Sequence, residues 1–469
     1  MVRVITQETY DEVVKENIDE FEMTPEEAIK EAVAQFEAQG VDLSNIIKDL
    51  ALSSGDSHEV TTIVSKLKEL ATQKQSDDEA ILKELEALIA ECNKDIARRV
   101  RAGKEGVYNI LIDLLERRSK SYIEKANEKD EKIIITAFNA LIALMEMQPD
   151  LLEEKGADLI KSLLDNIDKE SIITPVLRWT SVCCVKHEMN RQRLFAKNIA
   201  ENLKTYLKVR ASIKVISESM QVIRKFTLDD DVRVEFGKAH DHAKELGVKL
   251  LEPLTQFLKD HPLPPEVSET MLTIAALLVR HELCAMVADA GAAEALFGIL
   301  ADNFDNVAVI VQASKLITAL AGNDDVKRKL VKAGIAPIIV TLLNRHSSNA
   351  IAAALLLKAI SALALREPEH SRQFFDCGAP DAMVEAMKIH PTNASVQKNG
   401  CWAIRNMVAR CREQNPKFHE LGVEAVLNAA YERFSQEFGF DVKSALRDLE
   451  CDVKLDEQWT GKGVQMDNN

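Results

Sequence analysis

The sequence predicts an all-α protein in which three-helix repeats stack as an α-solenoid, a right-handed superhelix, preceded by a short helical arm. Glycines recur at intervals of 43, 44 and 44 residues, at Gly291, Gly334, Gly378 and Gly422. Apolar residues with a helical period follow each of these glycines. The chain of 469 residues also contains only 17 Gly and 12 Pro, which suits helices joined by short connections.

Each recurring glycine is predicted to be a turn between a short helix and a longer one. A left-handed residue lets a helix end in a sharp turn, and glycine adopts that conformation without a Cβ clash. After Gly334 the apolar residues fall at positions 1, 4, 5, 8 and 9, one face of a helix. These residues are Ile335, Ile338, Ile339, Leu342 and Leu343.

A third helix is expected to close each repeat, as in VIVQASKLITALAG, AIAAALLLKAISALAL and SVQKNGCWAIRNMVARC. Three helices in about 44 residues, with glycine between the first two, is the pattern of armadillo repeats. Further turns are predicted at Gly106, at Gly156 and at Asn198, where asparagine replaces glycine. One such unit cannot bury its apolar face alone, so residues 56–455 should form one array of about nine stacked repeats, including the end repeats.

Residues 1–52 form an acidic arm with two predicted amphipathic helices. Residues 1–60 contain 15 Asp/Glu and 4 Lys/Arg, whereas the whole chain has a net charge of −16. The second helix should begin with Thr24 as N-cap, Pro25 in the first turn and Glu27 in a capping box. Helices this short need a partner for their apolar faces, either the array or another protein. SSGDS at 53–57 is the expected linker, and residues 456–469 are the expected C-terminal tail.

The sequence lacks the signals of several other protein classes. The eight cysteines form no CxxC pair, which predicts reduced thiols in a cytoplasmic protein that is also compatible with the nucleus, with no metal site. Phosphate-loop, zinc-protease, dinucleotide and nucleophile-elbow motifs are absent, so no enzyme and no cofactor are expected. We also expect no secretory signal, no membrane span and no nucleic-acid partner.

The arm has the most specific resemblance to a known family. QETYDEVVKENIDEF, MTPEEAIKEAVAQFEAQGVDLSNI and the closing EQWTGKG resemble the armadillo repeat-containing protein six family of animals, and the resemblance extends over the whole chain. It implies the armadillo fold and no catalytic residue or cofactor.

Resemblance to armadillo proteins such as importin-alpha suggests a peptide groove along the third helices. There, tryptophans flank the peptide and asparagines four residues later bond its backbone; Trp402 and Asn406 match this pair, and Trp179 matches it with Cys183 in the asparagine's place. Lys398, Arg405 and Arg410 would share the groove. In other repeats the tryptophan position reads Met271, Ser314 and Lys358, and the asparagine position reads Ala275, Thr318 and Ala362.

Three interpretations of the Trp402–Asn406 pair remain open. It packs and caps locally, or it anchors a short acidic ligand beside its basic neighbours, or it belongs to an import-receptor groove. Elsewhere, Cys183, Cys184 and His187 are expected to be core residues, and His240 and His242 to be solvated in a polar connection spanning 227–245.

Two basic clusters near the start of the array have two interpretations. They are a solvated face, or they form a docking site for the acidic arm. The clusters consist of Arg98, Arg99, Arg101 and Lys104, followed by Arg117, Arg118 and Lys120.

The predicted function is that of a non-catalytic scaffold or adaptor that binds a protein partner along the concave surface. The alternative is a carrier or chaperone for a specific client, related to nuclear import receptors.

Overall fold

A computed structural model describes residues 3–43, 46, 48, 58–72, 77–208 and 211–453 of the chain. These residues form 25 α-helices and two short 3-10 helices, and they contain no strand beyond an isolated bridge between Arg3 and Val41. The predicted all-α fold of three-helix repeats is confirmed. The chain divides into two compact units, Met1–Pro253 and Leu254–Asn469. The expected linker at 53–57 and the expected tail at 456–469 lie outside the described residues.

The arm contains two helices, α1 (Gln7–Asp19) and α2 (Pro25–Ala38), whose apolar faces pack against each other. Thr24 and Glu27 form the expected capping box at the start of α2. The shared core consists of Tyr10, Val14, Ala28, Ala32, Phe36, Val41 and Leu43. The two helices are therefore each other's partner, a solution that the sequence did not suggest.

The first unit continues with stacked repeats, and the third helix of each repeat packs on the third helix of the next. Its helices are α3 His58–Thr72, α4 Asp78–Cys92, α5 Ile96–Lys104, α6 Val107–Glu124, α7 Glu128–Met145, α8 Glu154–Asn166, α9 Glu170–Cys183, α10 Glu188–Ala196, α11 Ile199–Lys208, α12 Ile213–Phe226 and α13 Ala239–Asp260. Helix α4 packs on α7, α7 on α9, and α9 on α12. The boundary between the units falls within α13.

The second unit repeats the same three-helix plan. Its helices are α14 Pro264–Leu277, α15 His281–Asp289, α16 Ala292–Asp302, α17 Val307–Leu320, α18 Asp324–Lys332, α19 Ile335–Arg345, α20 Ala350–Ala364, α21 Pro368–Asp376, α22 Ala379–Ile389, α23 Ala394–Val408, α24 Asn415–Glu420 and α25 Val423–Asp448. Helices α14, α17, α20, α23 and α25 pack in that order. Non-helical backbone at Phe434 and Phe438 divides α25.

Most of the predicted turns have the left-handed backbone conformation that was expected for a sharp turn between two helices. Gly106, Gly291, Gly334, Gly378 and Gly422 have φ between 72° and 97°. Asn198 has φ 58°, so asparagine does replace glycine at that turn.

The predicted turn at Gly156 is wrong, because Gly156 lies inside α8 and has no positive φ. The preceding chain turns through a 3-10 helix at Pro149–Leu151 instead. A short first helix is therefore replaced by a single 3-10 turn in this repeat.

Ion pairs between residues about 40 positions apart connect consecutive repeats. They include Lys329–Asp289 (3.0 Å), Arg372–Glu413 (3.2 Å) and Arg178–Glu218 (2.6 Å). Because the spacing of the partners is close to the repeat length, each pair joins one repeat to the next.

No single helix among the described residues is both long enough and apolar enough to cross a membrane. Helices α15 and α16 meet the length and composition criteria only as a pair, and that pair is bent by 69°.

Candidate functional site

The repeats of the second unit place the third helices α17, α20 and α23 in one register. Each begins after an asparagine whose side chain accepts a backbone N–H of the first turn: Asn306, Asn349 and Asn393. Counting from these N-caps, Lys315 and Lys358 occupy the positions that correspond to Trp402. We call the accessible side of these three helices, together with the residues that directly follow each helix, the third-helix face. Its basic and aromatic residues are Lys315, Lys358, Arg366, Lys398, Trp402, Arg405 and Arg410.

The register from the N-caps corrects the sequence alignment by one residue in two repeats. Ser314 and Met271, which the sequence placed at the tryptophan position, are buried. Lys315 and Leu272 are the accessible residues at that position. The signal that identifies Lys315 is the recurring N-cap asparagine, because it marks the start of each third helix more closely than the glycine does.

The third-helix face is basic although the whole protein is acidic. Helices α17, α20 and α23 contain no Asp or Glu, whereas the chain contains 75. Among the described residues, no carboxylate oxygen lies within 4.0 Å of the charged groups of Lys315, Lys358, Arg366 or Arg410. Their positive charge is therefore available to a ligand.

Several cations on the first and second helices of the same repeats differ, because they have carboxylate partners. Arg328 pairs with Glu367 at 2.9 Å and Lys417 with Asp381 at 3.0 Å. Lys332 of α18 and Lys388 of α22 are exceptions among the described residues. The distinguishing feature of the third helices is therefore that they contain cations but no carboxylate.

Trp402 is the aromatic centre of the third-helix face. Its ring is half-buried, and the Lys398 ammonium lies 5.0 Å from the ring centroid, a cation–π distance. Arg405, one turn further along α23, has its Nε 3.6 Å from Asp448 Oδ2. Helical spacing places Lys398, Trp402 and Arg405 on one stretch of α23; their role, and that of Arg410, in binding a partner stays a prediction.

Asn406 is used within the fold. Its Nδ2 donates to the Ser361 carbonyl oxygen at 3.0 Å and contacts Ser361 Oγ at 2.9 Å. Asn399 similarly donates to the Ala354 carbonyl oxygen at 2.8 Å. Both amides join α23 to α20, so the local-packing interpretation describes Asn406.

Trp179 does not line a groove, and this part of the prediction is wrong. The side chain is fully buried, with its ring 5.6 Å from Phe138 and its Nε1 donating to Met145 Sδ at 3.1 Å. The reason is that Trp179 fills the space between the third helices α7 and α9.

Four arginines of the early basic clusters have carboxylate partners within the array, so they do not form a free basic patch. Their carboxylate partners belong to the array: Arg98 pairs with Glu91 (3.0 Å), Arg99 with Glu146 (3.0 Å), Arg101 with Glu105 (3.0 Å) and Arg118 with Asp130 (2.9 Å). Lys104 does face the arm, with its Nζ 3.8 Å from Asp11. Docking of the arm on these clusters stays a prediction.

The Cys183–Cys184–His187 group is structural. Both thiols are buried, and burial raises the pKa of the Cys184 thiol to about 12, which makes it a poor nucleophile. His187 Nδ1 accepts the Asn190 N–H at 3.0 Å, and its Nε2 donates to Asp150 at 2.9 Å. That hydrogen bond, together with the one from Arg233, lowers the pKa of Asp150 to about 2. Both ring nitrogens are therefore engaged.

The predicted solvated state of His242 is wrong. His242 lies in α13 and is only 6% exposed, whereas His240 is exposed. The polar connection ends before Ala239, where α13 begins. Residues 239–245 belong to this helix, most of whose apolar residues are buried.

Comparisons with known proteins cover nearly the whole chain. The ARMC6 family profile matches residues 60–467, and the armadillo repeat-containing protein 6 N-terminal domain profile matches residues 2–78. The Drosophila melanogaster armadillo repeat-containing protein 6 homolog is 41% identical over 463 residues, covering 98% of each chain. Armadillo repeat-containing protein 6 of Homo sapiens is 36% identical over 388 residues, covering 78% of this chain and 75% of the human protein.

Solved structures support the fold. An engineered protein superimposes with a TM-score of 0.65 at 17% identity, covering 96% of this chain and all of that chain. A structure from a study of the interaction between cadherin and beta-catenin has a TM-score of 0.57 at 15% identity, covering 82% of this chain and 68% of that one. These structures show the fold, and the profile matches and the relatives show that the chain belongs to the armadillo repeat-containing protein 6 family.

Proposed function

We propose that the protein is a non-catalytic scaffold that binds an acidic segment of a partner protein along the third-helix face. The armadillo fold generally mediates protein–protein interaction. The charge and the exposure of the face indicate what chemistry the partner should have.

The observation that supports an acidic partner is the set of unpaired cations on the third-helix face. In a chain of net charge −16, three neighbouring helices without any carboxylate are an unusual local composition. One exposed ion pair contributes only about 0.2–1 kcal/mol, so a single lysine would not hold a partner. Several cations along one surface attract and orient an acidic segment through their combined field.

Apolar groups on the same surface would supply the anchors. Ile351 is 66% exposed, and helical spacing places it on the side of α20 that contains Lys358. Leu365, which follows the last residue of α20, is 37% exposed. Trp402 offers a half-buried aromatic surface on the adjacent helix. Affinity in interfaces usually comes from a few such anchors, so the proposed ligand combines carboxylates with spaced apolar side chains.

The carrier alternative is less compatible with this surface. An extended peptide held as in import receptors needs several free amides, yet Asn406 donates to Ser361. The positions corresponding to Asn406 in the other repeats are Ala276, Ala319 and Ala362, which have no amide side chain. A basic signal peptide would also meet like charge on the face.

We propose a cytoplasmic location, compatible also with the nucleus. All eight cysteines are free thiols, and free thiols are typical of a reducing compartment.

A peptide-binding experiment tests the proposal. A fluorescent Glu-rich peptide with spaced leucines should bind the full-length protein, and a Lys-rich counterpart should not. Reversing two charges of the face, Lys358→Glu with Arg366→Glu, should weaken binding by about tenfold or more, and added salt should weaken binding to the wild type.

The matched control reverses two exposed lysines outside the face, Lys129→Glu with Lys332→Glu. It changes the net charge equally and should leave binding within about twofold of the wild type, because long-range effects are screened. Equal loss in both variants, or tighter binding of the Lys-rich peptide, would contradict the proposal. Affinity capture with the same proteins would then identify the partner.

A further inference from the structure

A cluster of three potential metal ligands lies at the C-terminal end of the second unit. His419 of α24, Glu424 in the first turn of α25 and Cys451 after α25 each offer one ligand atom, and these atoms lie within 4.8 Å of one another. His419 and Glu424 are five residues apart, but Cys451 follows Glu424 by 27 residues, so the three residues do not form a short sequence motif. They form the one such cluster found among the described residues.

Two sharp turns bring the three residues together. Gly422, with φ 72°, separates α24 from α25 and places His419 beside Glu424. Glu450, with φ 65°, turns the chain after α25, and the Cys451 N–H donates to the Leu446 carbonyl oxygen at 3.0 Å.

Helix α24 also holds the segment that contains Cys451. Asn415 Nδ2 donates to the Asp448 carbonyl oxygen at 3.3 Å. One helical turn later, His419 Nε2 is 2.9 Å from the Leu449 carbonyl oxygen. The cluster is therefore supported from both sides by backbone contacts.

The donor set suits a transition metal. Imidazole nitrogen, thiolate sulfur and carboxylate oxygen are the three ligand types that Zn²⁺ takes in proteins, with a fourth position open to water. A metal-bound histidine usually donates its other ring N–H to a carbonyl or carboxylate group, which is the contact that His419 makes with Leu449. By contrast, both ring nitrogens of His187 are occupied.

Accessibility also favours binding. His419 and Glu424 are exposed and Cys451 is half-buried, so an ion could enter without opening the core. The other half-buried cysteine, Cys377, belongs to no such cluster.

We propose that His419, Glu424 and Cys451 bind one divalent transition-metal ion of the zinc class, with water completing the coordination. Binding releases the thiol proton of Cys451 to solvent, because the thiolate is the ligand. The ion would join the segment after α25 to the turn at Gly422 and so close the last repeat. This site differs from the third-helix face, and it departs from the sequence-based expectation of no metal.

Cobalt titration of the reduced, chelator-treated full-length protein tests the site. One equivalent of Co²⁺ should produce thiolate-to-cobalt charge-transfer absorption that Zn²⁺ abolishes by competition. Cys451→Ser should remove the absorption. His419→Gln, which keeps a donor for the Leu449 carbonyl oxygen, should weaken Co²⁺ binding by about tenfold or more.

Cys377→Ser is the matched control and should leave the titration unchanged. Circular dichroism checks that the variants are folded, and Zn²⁺ should raise the Tm of the wild type but not that of Cys451→Ser. Absence of thiolate absorption in the wild type, its persistence in Cys451→Ser, or its equal loss in Cys377→Ser would overturn the proposal. Binding of the Glu-rich peptide in the same preparations reports separately on the third-helix face.

Discussion

At the scale of single residues, Gly156 allows three helices to approach one another. An added Cβ would overlap the Tyr108 hydroxyl and lie 3.0 Å from Leu152 Cδ1 and 3.2 Å from Trp179 Cη2. The surrounding side chains are themselves well packed, since Trp179 is fully buried. The glycine is therefore required for packing rather than for a turn.

Substituting Gly156→Ala should destabilise the first unit by about 1–3 kcal/mol, because overpacking forces neighbours to move. Gly298→Ala is the matched control: Gly298 also lies inside a helix, α16, but a Cβ there meets no atom within 4 Å. That control should instead stabilise its helix by up to about 1 kcal/mol. Local hydrogen exchange measures both effects, and equal behaviour of the two variants would contradict the packing argument.

His242 shows how burial changes a titratable side chain. Its ring stacks on Phe195 with centroids 4.0 Å apart, and its Nδ1 is 3.2 Å from the Phe226 carbonyl oxygen. Burial lowers the pKa of His242, while the hydrogen bond to Phe226 and the nearby Glu188 and Glu245 oppose the shift. The neutral ring is thus the folded form.

Stability of the first unit should therefore decrease as the pH falls below about 6.5, the usual pKa of histidine. A lowered pKa means that the folded state binds fewer protons than the unfolded chain in that range, so acid favours unfolding. His242→Phe should flatten this part of the profile, measured by thermal unfolding between about pH 7 and 5. The exposed His240→Gln variant should keep the wild-type slope; an unchanged slope in His242→Phe would refute the assignment.

At the scale of elements, the N-cap asparagines define where the third helices begin. Asn349 Oδ1 accepts the N–H groups of Ile351 and Ala352 at 3.1 and 3.0 Å. Asn306 and Asn393 cap α17 and α23 in the same way. The cap satisfies backbone donors that have no partner within the helix, and it sets which side chains reach the third-helix face.

Replacing Asn349→Ala should cost about 0.5–2 kcal/mol, the usual effect of losing a cap. Asn349→Asp should retain most of the stability, because a carboxylate also accepts these N–H groups and is favoured at a helix N-terminus. Hydrogen exchange of the first turn of α20 distinguishes the two variants. Similar protection in both would show that the cap contributes little.

At the scale of the whole molecule, stability is expected to be distributed repeat by repeat. Third helix α20 packs on α17 and α23, and these in turn pack on α14 and α25. In such arrays each repeat is stabilised by its own contacts and by those with its nearest neighbours.

A cavity in one repeat should therefore have a local effect. Leu357 is fully buried in α20, and Leu357→Ala should cost about 2–5 kcal/mol. Hydrogen exchange should accelerate most in α17, α20 and α23, whereas protection of α7 and α9 in the first unit should be unchanged. Uniform acceleration across both units would contradict nearest-neighbour stabilisation.

The amino-acid sequence by itself determined the features that depend on local interactions. The left-handed turns at Gly334 and Gly378 and the capping box at Thr24 were predictable, because backbone conformation and first-turn hydrogen bonds involve residues close in the chain. Helical periodicity likewise identified the third helices, whereas the choice of Trp402 and its neighbours as binding residues came from the resemblance to other armadillo proteins.

Only the tertiary structure decided which side chains are buried, paired or brought together. Trp179 is enclosed by neighbouring helices, and the equally buried Arg191 pairs with Glu188 and Asp230. The same holds for the unpaired cations of the third-helix face and for Cys451 beside His419. Whether a cation pairs with a carboxylate, or a thiol lies beside a histidine, depends on residues that are distant in the sequence. Such contacts form only when the helices and repeats pack together.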